Sequence, residues 1–566
     1  MLDVLKVALA LIVAVYVLRI LWRRLLLSRA KHRSLTGHGR IARRLARLVP
    51  FYAYADDEVF GVDGADPALQ QRRRQGFAAL RERLLAKSEQ SRAASKDLAP
   101  GVSDMQFTSA YRVPFQFRRF VMEQLPLGSF VNASDGVQLR DLDGNWSFDL
   151  GGSYGVNLLG YDFYKGTMER ALERTKDLGP VLGPYHPLIA ENVERIRRIS
   201  GLDEVSFHMS GTEAVMQAVR LARYHTRRPK LAMFCGAYHG WWDGVQPGVG
   251  SQRGYRDILN LQDMSEKSLA VLKSRNDIAC LLINPLQALH PNKSATSDAM
   301  LVGSERKACY DKQAYAAWLQ ELRRVCTDKG IALIFDEVFV GFRLAQGGAQ
   351  EYFGVRADLV TYGKTIGGGL PVGVIAGRHE LMRRYRDNSP TDICFARGTF
   401  NSHPMVMAAM NEFLQYADTA EYREQVDAAE AVWNRRFAEL NDALAANNVP
   451  VHVYNMVSIG LVGYSAVSRY NWLLQYYLRA EGLSLSWVGT GRFIFSHNYT
   501  DVDFATVVER IVAAGQRMRD DGWWDAPDGL TNKAIKRQVL REMLRSRFGR
   551  RTDATAAPRL TSNEQA

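Results

Sequence analysis

The sequence predicts an α/β fold with a large, mostly parallel sheet. Short apolar runs alternate with stretches of helical periodicity, at residues 204–209, 231–234, 278–285, 331–335 and 358–362. Runs of this length and bulk are typical of strands that are buried on both faces. Two of the runs end on polar pairs, Asp336–Glu337 and Gly363–Lys364. Because open α/β sheets bind their ligands at the carboxyl ends of the strands, these pairs mark a candidate site.

A lysine next to a carboxylate at such an edge is suited to Schiff-base chemistry. The amine of Lys364 can bind an aldehyde, and Asp336 can keep a pyridine nitrogen protonated so that the ring accepts electrons. The three glycines of 367–369 allow the backbone to approach a ligand closely. For an isolated aspartate and lysine, an ion pair without chemistry is the alternative.

The motifs around this pair favour the chemistry. The segments DEVFVGFR, GGAQEYFG, DLVTYGK and GGGLPVG follow one another in unbroken order over residues 336–373. They resemble the class III aminotransferases, the fold-type I family that depends on pyridoxal 5′-phosphate (PLP) and includes glutamate-1-semialdehyde aminomutase. The resemblance extends from about residue 109 to about residue 514 and implies a large sheet domain with a smaller α+β domain. It also implies that Lys364 binds the PLP aldehyde, Asp336 faces the pyridine nitrogen and Val338 lies under the ring.

The same resemblance assigns the remaining cofactor residues. Residues 210–214, SGTEA, follow a predicted strand and begin a helix, so that Ser210, Gly211 and Thr212 are expected to bind the PLP phosphate. Alone, this tripeptide is an ordinary helix cap. The family's YHG motif implies that Tyr238 stacks on the cofactor ring and that His239 supports the site.

One assignment requires a second subunit. Residues 397–401, RGTFN, resemble the family segment whose threonine reaches the phosphate bound by the neighbouring subunit. Thr399 therefore implies a homodimer with shared active sites.

The sequence departs from the family at the substrate side. Most relatives have a glutamate before the proline of the segment INPLQALHPN, where this chain has Asn284. The change puts the family's usual separation of donor and acceptor binding in doubt. The segment is more similar to the aminotransferase domains of polyketide and lipopeptide synthases than to the aminomutase. Arg112 and Arg343 are the candidates for binding a substrate carboxylate, since a guanidinium binds it bidentately.

The net charge of +13 comes from the two chain ends. Residues 1–50 contain eleven lysine or arginine residues and one aspartate, and residues 531–551 contain eight and one glutamate. The body between them is therefore slightly acidic, which argues against a nucleic-acid groove and for attachment to a surface. We expect membrane lipid, and no nucleic acid, as a partner.

A membrane anchor is predicted at the start of the chain. Residues 2–22 are apolar except for Asp3, Lys6 and Arg19, and a helix of this length is roughly 31 Å long, enough to cross a bilayer core. Basic residues follow the run, unlike those of a cleaved signal, and place the body in the cytoplasm at the inner membrane. A helix lying in the membrane interface is the alternative, because the uninterrupted apolar core, 7–18, is short.

The domain organisation follows from these observations. The predicted parts are an anchor helix (1–27), basic juxtamembrane helices with a linker over 92–103 (28–104), the first part of the small domain (105–160), the PLP-binding domain (161–414), the second part of the small domain (415–520), and a basic amphipathic helix with a disordered tail (521–566). The cysteines have no metal-binding spacing, so that reduced thiols and no metal are expected at Cys235, Cys280, Cys309, Cys326 and Cys394.

The functional hypothesis is a membrane-anchored PLP-dependent aminotransferase of lipid or secondary-metabolite biosynthesis. It moves an amino group from an amino acid donor to a hydrophobic aldehyde or ketoacyl acceptor, free or bound to an acyl carrier protein, with Lys364, Asp336 and Tyr238 as catalytic residues. One alternative is an aminomutase that acts on glutamate 1-semialdehyde. The other is a catalytically silent scaffold on a membrane.

Overall fold

The structure, a computed structural model, describes residues 2–33, 38–246, 250, 256–292, 308, 310–486, 491–527 and 529–548. The chain is divided into two compact units. Unit 1 comprises Met1–Ala46, Gly166–Ser294 and Cys309–Asp427, and unit 2 comprises Arg47–Lys165, Ala295–Ala308 and Ala428–Ala566. Each unit is thus assembled from segments that are distant in the sequence. The predicted disordered tail, from residue 549, and Cys309 lie outside the described residues.

The strands are β1 (Ala133–Asp135), β2 (Gln138–Arg140), β3 (Trp146–Asp149), β4 (Glu204–His208), β5 (Lys230–Phe234), β6 (Ile258–Leu261), β7 (Ile278–Ile283), β8 (Ala332–Asp336), β9 (Leu359–Gly363), β10 (Gly373–Gly377), β11 (Val451–Met456), β12 (Ile459–Tyr464), β13 (Leu483–Ser484) and β14 (Arg492–Ile494).

The helices are α1 (Leu2–Ala30), α2 (Gly39–Ala46), α3 (Pro67–Leu85), α4 (Glu89–Leu98), α5 (Ser103–Tyr111), α6 (Arg118–Gln124), α7 (Tyr161–Thr175), α8 (Leu188–Ser200), α9 (Gly211–Thr226), α10 (Glu266–Ser274), α11 (Lys312–Lys329), α12 (Gly348–Phe353), α13 (His379–Met382), α14 (Pro404–Ala417), α15 (Ala420–Ala446), α16 (Leu474–Ala480), α17 (Asp501–Asp520) and α18 (Asn532–Phe548).

Unit 1 is built on a seven-stranded sheet in the order β4-β10-β9-β8-β7-β5-β6. β10 is antiparallel to β4 and to β9, and the pairs β9–β8, β8–β7, β7–β5 and β5–β6 are parallel. Every residue of β7, β8, β9 and β10 is buried, as expected for strands covered on both faces. The predicted α/β fold with a mostly parallel large sheet is confirmed.

Helix α9 covers this sheet closely because its inward face is formed by small side chains. Ala214, Ala218 and Ala222 are fully buried and belong to the same apolar cluster as residues of β5, β7 and β8. Small residues on a helix allow its backbone to approach the sheet, so the turn that begins α9 is held firmly at the sheet's edge.

Unit 2 contains two smaller sheets. One has the order β1-β2-β3-β13, in which β2 and β3 form an antiparallel hairpin, and the other has the order β11-β12-β14. In the second sheet β11 and β12 form a hairpin, and Val457 lies in its turn with a φ of 50°. The basic C-terminal helix is present as α18, with Ile535 and Val539 buried.

The predicted linker over residues 92–103 is wrong. Helices α4 and α5 occupy most of this stretch. The carboxylate of Asp143 accepts hydrogen bonds from the backbone N–H groups of Gln90 (2.6 Å) and Ser91 (3.0 Å) at the start of α4. This acidic cap lies in the turn of the β2–β3 hairpin, far away in the sequence, and therefore gives no local signal.

The N-terminal helix is longer than predicted. Judged by length and composition alone, the helical segment Asp3–Ala30 is long and apolar enough to cross a membrane. The four cysteines in the described part of the chain are buried and form no disulfide with one another, in agreement with reduced thiols.

Candidate functional site

Most of the predicted cofactor residues, together with Asn284, meet at one edge of the sheet of unit 1. They lie at the carboxyl ends of the mutually parallel strands β4, β5, β7, β8 and β9. In strand order these residues are Ser210–Thr212 after β4, Lys364 after β9, Asp336 at the end of β8, Asn284 after β7, and Tyr238 and His239 after β5. This is the edge at which open α/β sheets bind ligands.

Asp336 is held in a fixed orientation by three donors. Its Oδ2 lies 2.8 Å from Nδ1 of the buried His239. Its Oδ1 accepts from the backbone N–H of Val338 (3.2 Å) and from Oγ1 of Thr361 (3.4 Å). Nε2 of His239 is buried and has no hydrogen-bond partner among the described residues. The carboxylate is thus oriented by one imidazole, one backbone N–H and one hydroxyl.

The turn before α9 is packed against Val338. A Cβ added at Gly211 would lie 2.6 Å from Cγ1 of Val338, and one added at Gly240 would lie 2.5 Å from Oγ1 of Thr212. Ser210 is the N-cap of α9, and its Oγ accepts from the N–H of Glu213 (3.3 Å). The backbone of Gly211 and Thr212 therefore forms the first turn of α9, in a space too narrow for an added side chain. Free backbone N–H groups at such a helix start can bind a phosphate.

Lys364 follows β9 directly and has a left-handed backbone, with a φ of 54°. This conformation is uncommon for a residue other than glycine and is often found at functional sites. The Nζ atom of Lys364 lies 4.9 Å from the centre of the Phe339 ring. Two glycines with positive φ angles, Gly368 and Gly369, follow the lysine four and five residues later.

Asn284 connects β7 to the loop that contains Tyr238. Its Nδ2 donates to the carbonyl oxygen of Tyr238 (2.8 Å), while its Oδ1 accepts from the N–H of Leu286 (3.1 Å). A carboxylate could not donate the first of these bonds. The tyrosine side chain is half-exposed, and partial burial together with the charge of Asp336 raises its pKa. Asn284 thus positions the backbone of the predicted stacking residue.

These residues fit PLP. The oriented carboxylate of Asp336, the cradle at Ser210–Thr212 and the strained Lys364 stand on one sheet edge, with Val338 packed against the cradle. Among the described residues, no group of three His, Cys, Asp or Glu side chains could bind a metal ion.

Sequence reasoning missed two polar residues beside Asp336. Thr361 is the β9 residue paired with Asp336 across the sheet, so its hydroxyl in an otherwise apolar strand was the available signal. Glu337 is buried and accepts from the backbone N–H groups of Ala349 (2.6 Å) and Gln350 (3.3 Å). Burial, with a contribution from Asp336, raises the pKa of Glu337 to about 8. Glu337 therefore orders the loop after β8.

The candidate substrate residues are placed differently. Arg343 lies in unit 1 and is only 1% exposed, a placement that favours a structural role over direct contact with a mobile substrate. Arg112 ends α5 in unit 2, where burial lowers its pKa although Tyr476 and Tyr154 oppose that shift. Thr399 is exposed in a loop of unit 1. Unit 1 thus brings most of the PLP residues together, while Thr399 lies in a separate exposed loop of that unit.

Comparisons with known proteins agree with the site. Residues 121–514 match the model of the family "Aminotransferase class-III". Glutamate-1-semialdehyde 2,1-aminomutase of Methanococcus maripaludis strain C7 is 34% identical over 353 residues, which are 59% of this chain and 76% of that protein. The same enzyme of Flavobacterium johnsoniae is 34% identical over 342 residues, or 60% and 77% of the two chains.

Solved structures show the same fold. A glutamate-1-semialdehyde aminomutase from Pseudomonas aeruginosa PAO1 superposes with a TM-score of 0.63 at 17% identity, over 80% of this chain and 100% of that one. A β-phenylalanine aminotransferase from Variovorax paradoxus has a TM-score of 0.60 at 24% identity, and the match covers 78% of this chain and 96% of that one. With Asp336, Lys364 and the phosphate cradle on one sheet edge, the chain belongs to the class III aminotransferases and is a PLP-dependent enzyme.

Proposed function

We propose that this enzyme is anchored to the cytoplasmic membrane and transfers an amino group from an amino acid to a hydrophobic aldehyde or ketoacyl acceptor, free or bound to a carrier protein. The observation that supports the proposal is the combination, within unit 1, of the PLP residues with an exposed apolar helix, α1. A soluble amine-transfer enzyme has no need for such a helix.

Bound PLP supplies a ring that accepts electrons and an aldehyde that binds amino groups. In the proposed reaction, Nζ of Lys364 would act as the base for the α-proton of the amino donor. Asp336, oriented by His239, would hold the pyridine nitrogen protonated. Tyr238, whose backbone Asn284 positions, and Val338 would pack against the cofactor ring.

The cofactor assignment is tested by absorbance. The purified protein should be yellow, and borohydride should abolish the visible band by reducing the bond between the cofactor and Lys364. Lys364→Ala protein should not be reduced at any lysine. Reduction at another lysine with full turnover would show that Lys364 is not the base.

The anchor is supported by exposure along α1. Apart from Ile20, the large apolar side chains from Val4 to Trp22 are between 46% and 73% exposed, a degree typical of a surface that lipid covers. Removing residues 2–19 should release the protein from membranes without loss of PLP. A truncated protein that still resists extraction at high salt would show that another segment is the principal anchor.

A homodimer with shared sites is supported by the loop around Thr399. The threonine is exposed, and Phe395 and Phe400 beside it are 67% and 49% exposed, which a second copy of unit 1 would cover. Mixing Lys364→Ala subunits with Thr399→Ala subunits should restore part of the activity, because one of the two composite sites then contains both residues. Full cofactor affinity in a monomer would exclude shared sites.

The acceptor is proposed from Asn284 and from the membrane attachment. A carbonyl compound with a long acyl chain accounts for the anchor, and Asn284 replaces the glutamate expected in the family. The aminomutase reaction is the second candidate, because the curated relatives compared above bear that name.

Single-turnover kinetics separate the two reactions. The enzyme is converted to its amine-loaded form, and the return of the visible band is followed with acceptors of increasing chain length. A rate that rises with chain length supports the aminotransferase. Rapid return with glutamate 1-semialdehyde and none with the longer acceptors supports the aminomutase.

A further inference from the structure

The anchor helix does not end where its apolar run ends. The side chains that are at least partly buried in its last part are Ile20, Arg23, Leu26, Leu27 and Ala30. These positions share one helical face, and Ala30 is fully buried. The last two to three turns of α1 are therefore packed into unit 1, while the preceding turns project from it.

Two hydrogen bonds give the direction of this packing. Arg23 donates to the carbonyl oxygen of Ser274, the last residue of α10 (3.2 Å). The carbonyl oxygen of Ala30 accepts from the N–H of Gln262, the residue after β6 (2.8 Å). Because α10 runs from the end of β6 back to the start of β7, α1 lies antiparallel to it.

The two ends of the docked segment therefore lie at opposite edges of the sheet. Ser274 precedes β7 and marks the amino edge, and Gln262 follows β6 and marks the carboxyl edge. The chain after Ala30 stays at the carboxyl edge, where the His32 backbone hydrogen-bonds to Cys235, the residue after β5. Burial there lowers the pKa of Lys31.

We infer that the docked end of α1 fixes unit 1 with its reactive edge facing away from the bilayer. The apolar turns before Arg23 continue beyond the amino edge, so the lipid must lie on that side. The segment from Arg23 to Ala30 alone separates the carboxyl edge from the membrane surface by about 10 Å at helical rise. This inference rests on the proposed anchoring by α1.

The orientation limits how the acceptor is delivered. An acyl chain dissolved in the bilayer would have to leave it completely before its carbonyl reached Lys364, at a large hydrophobic cost per CH₂. A carbonyl presented from the aqueous side, on a carrier protein or on a long polar group, reaches the edge directly. The orientation therefore favours a carrier-bound acceptor within the proposed class.

Two spin labels near opposite ends of α10 test the orientation. Glu266 and Asn276 are exposed; Glu266 begins α10 and Asn276 lies two residues beyond its end, so that the helix itself separates them by about 12 Å. Each is changed to cysteine in a Cys309→Ser background, since the other four cysteines are buried. The PLP-loaded full chain is placed in lipid nanodiscs whose headgroups chelate Ni²⁺, and the paramagnetic relaxation of each label is measured.

We expect the label at position 276 to be relaxed severalfold more strongly than the label at 266. Equal relaxation, or the reverse order, in a protein that floats with the nanodiscs would overturn the inference and leave the anchor intact. Failure to float would overturn the anchoring proposal itself, and this inference with it.

An insertion gives the matched control. Eight Gly-Ser residues inserted between Trp22 and Arg23 leave the docked segment unchanged and separate it from the apolar turns. In this variant the two labels should be relaxed nearly equally, because a flexible linker allows unit 1 to tumble. A difference that survived the insertion would show that some other surface sets the orientation, against the inference.

Discussion

Two carboxylates, one in each unit, are held by donors of different kinds. Asp336 in unit 1 is oriented by His239 and by neutral donors. Glu542 in unit 2 accepts from both terminal nitrogens of the fully buried Arg469 (2.8 and 3.1 Å), and from the hydroxyls of Tyr52 (2.9 Å) and Tyr54 (2.6 Å). The donors to Glu542 thus include a guanidinium, whereas the donors to Asp336 are an imidazole, a backbone N–H and a hydroxyl.

The difference separates a binding carboxylate from a structural one. Burial alone would raise the pKa of Glu542, but the hydrogen bonds and charge of Arg469 lower it, so this acid is already saturated with donors. The Arg469–Glu542 pair joins α18 to the chain around Arg469, and the two tyrosine hydroxyls join α18 to residues 52–54 in unit 2. An acid that is oriented at a strand end by an imidazole and neutral donors is therefore the better marker of function.

Exchange of Asp336 for its neutral isostere should produce the largest effect. Asp336→Asn keeps the size of the side chain and removes the charge that stabilises a protonated pyridine nitrogen. We expect turnover to fall by about 10²–10³-fold, the usual loss for one preorganised electrostatic partner, with little change in melting temperature. Single-turnover kinetics and thermal unfolding measure the two quantities. Turnover near that of the parent would remove Asp336 from the mechanism.

For Glu542 we expect the opposite pattern, a loss of stability with little loss of activity. Glu542→Gln leaves Arg469 buried without its counter-ion, and the free energy of unfolding should fall by about 3 kcal/mol. Activity per folded molecule should not change. Glu509→Gln, the same change in charge at an exposed position of α17 in the same unit, is the control and should have little effect. If both variants unfolded alike, net charge rather than the Arg469 pair would be responsible.

The comparison also shows how far the sequence predicted the molecule. Asp336 and Lys364 were predicted because strand periodicity and the residues at strand ends are local signals, and the structure brings both to one edge. The cap of α4 by Asp143 and the Arg469–Glu542 pair were not predicted. Their partners are 52 to 73 residues apart in sequence, and no local pattern connects them.

The end of the N-terminal helix was predicted incorrectly for a related reason. Arg23, Arg24 and Arg29 interrupt its apolar run, so the predicted anchor ended at 27 and the following residues were assigned to a juxtamembrane segment. In the structure the helix continues to Ala30 because its partly buried face packs on α10. Tertiary packing, which a single sequence does not display, decides where this element ends.

The pH dependence of stability should distinguish Glu542 further. Because its pKa in the folded protein is lower than usual, the pair contributes stability above the ordinary pKa of glutamate, about 4.3, and this contribution is lost as the pH falls through the folded-state pKa. The gap in urea midpoint between the parent and Glu542→Gln should therefore be full at neutral pH and narrow in acid. A constant gap would show that packing, not charge, accounts for the difference.

The smallest effect is expected at Thr361, where the comparison can be refined within one site. Its hydroxyl lies 3.4 Å from Oδ1 of Asp336, longer than an ordinary O–H···O bond of about 2.5–3.0 Å, so the hydroxyl is the weakest of the three donors. Thr361→Val replaces it with a methyl group of similar shape, and loss of about 0.5 kcal/mol corresponds to about a twofold fall in turnover. Thr361→Ser, which keeps the hydroxyl and loses the methyl, is the matched control and should retain activity if the bond matters. A loss as large as that of Asp336→Asn would instead show that the carboxylate depends on the β9 hydroxyl for its orientation, and that His239 alone does not hold it.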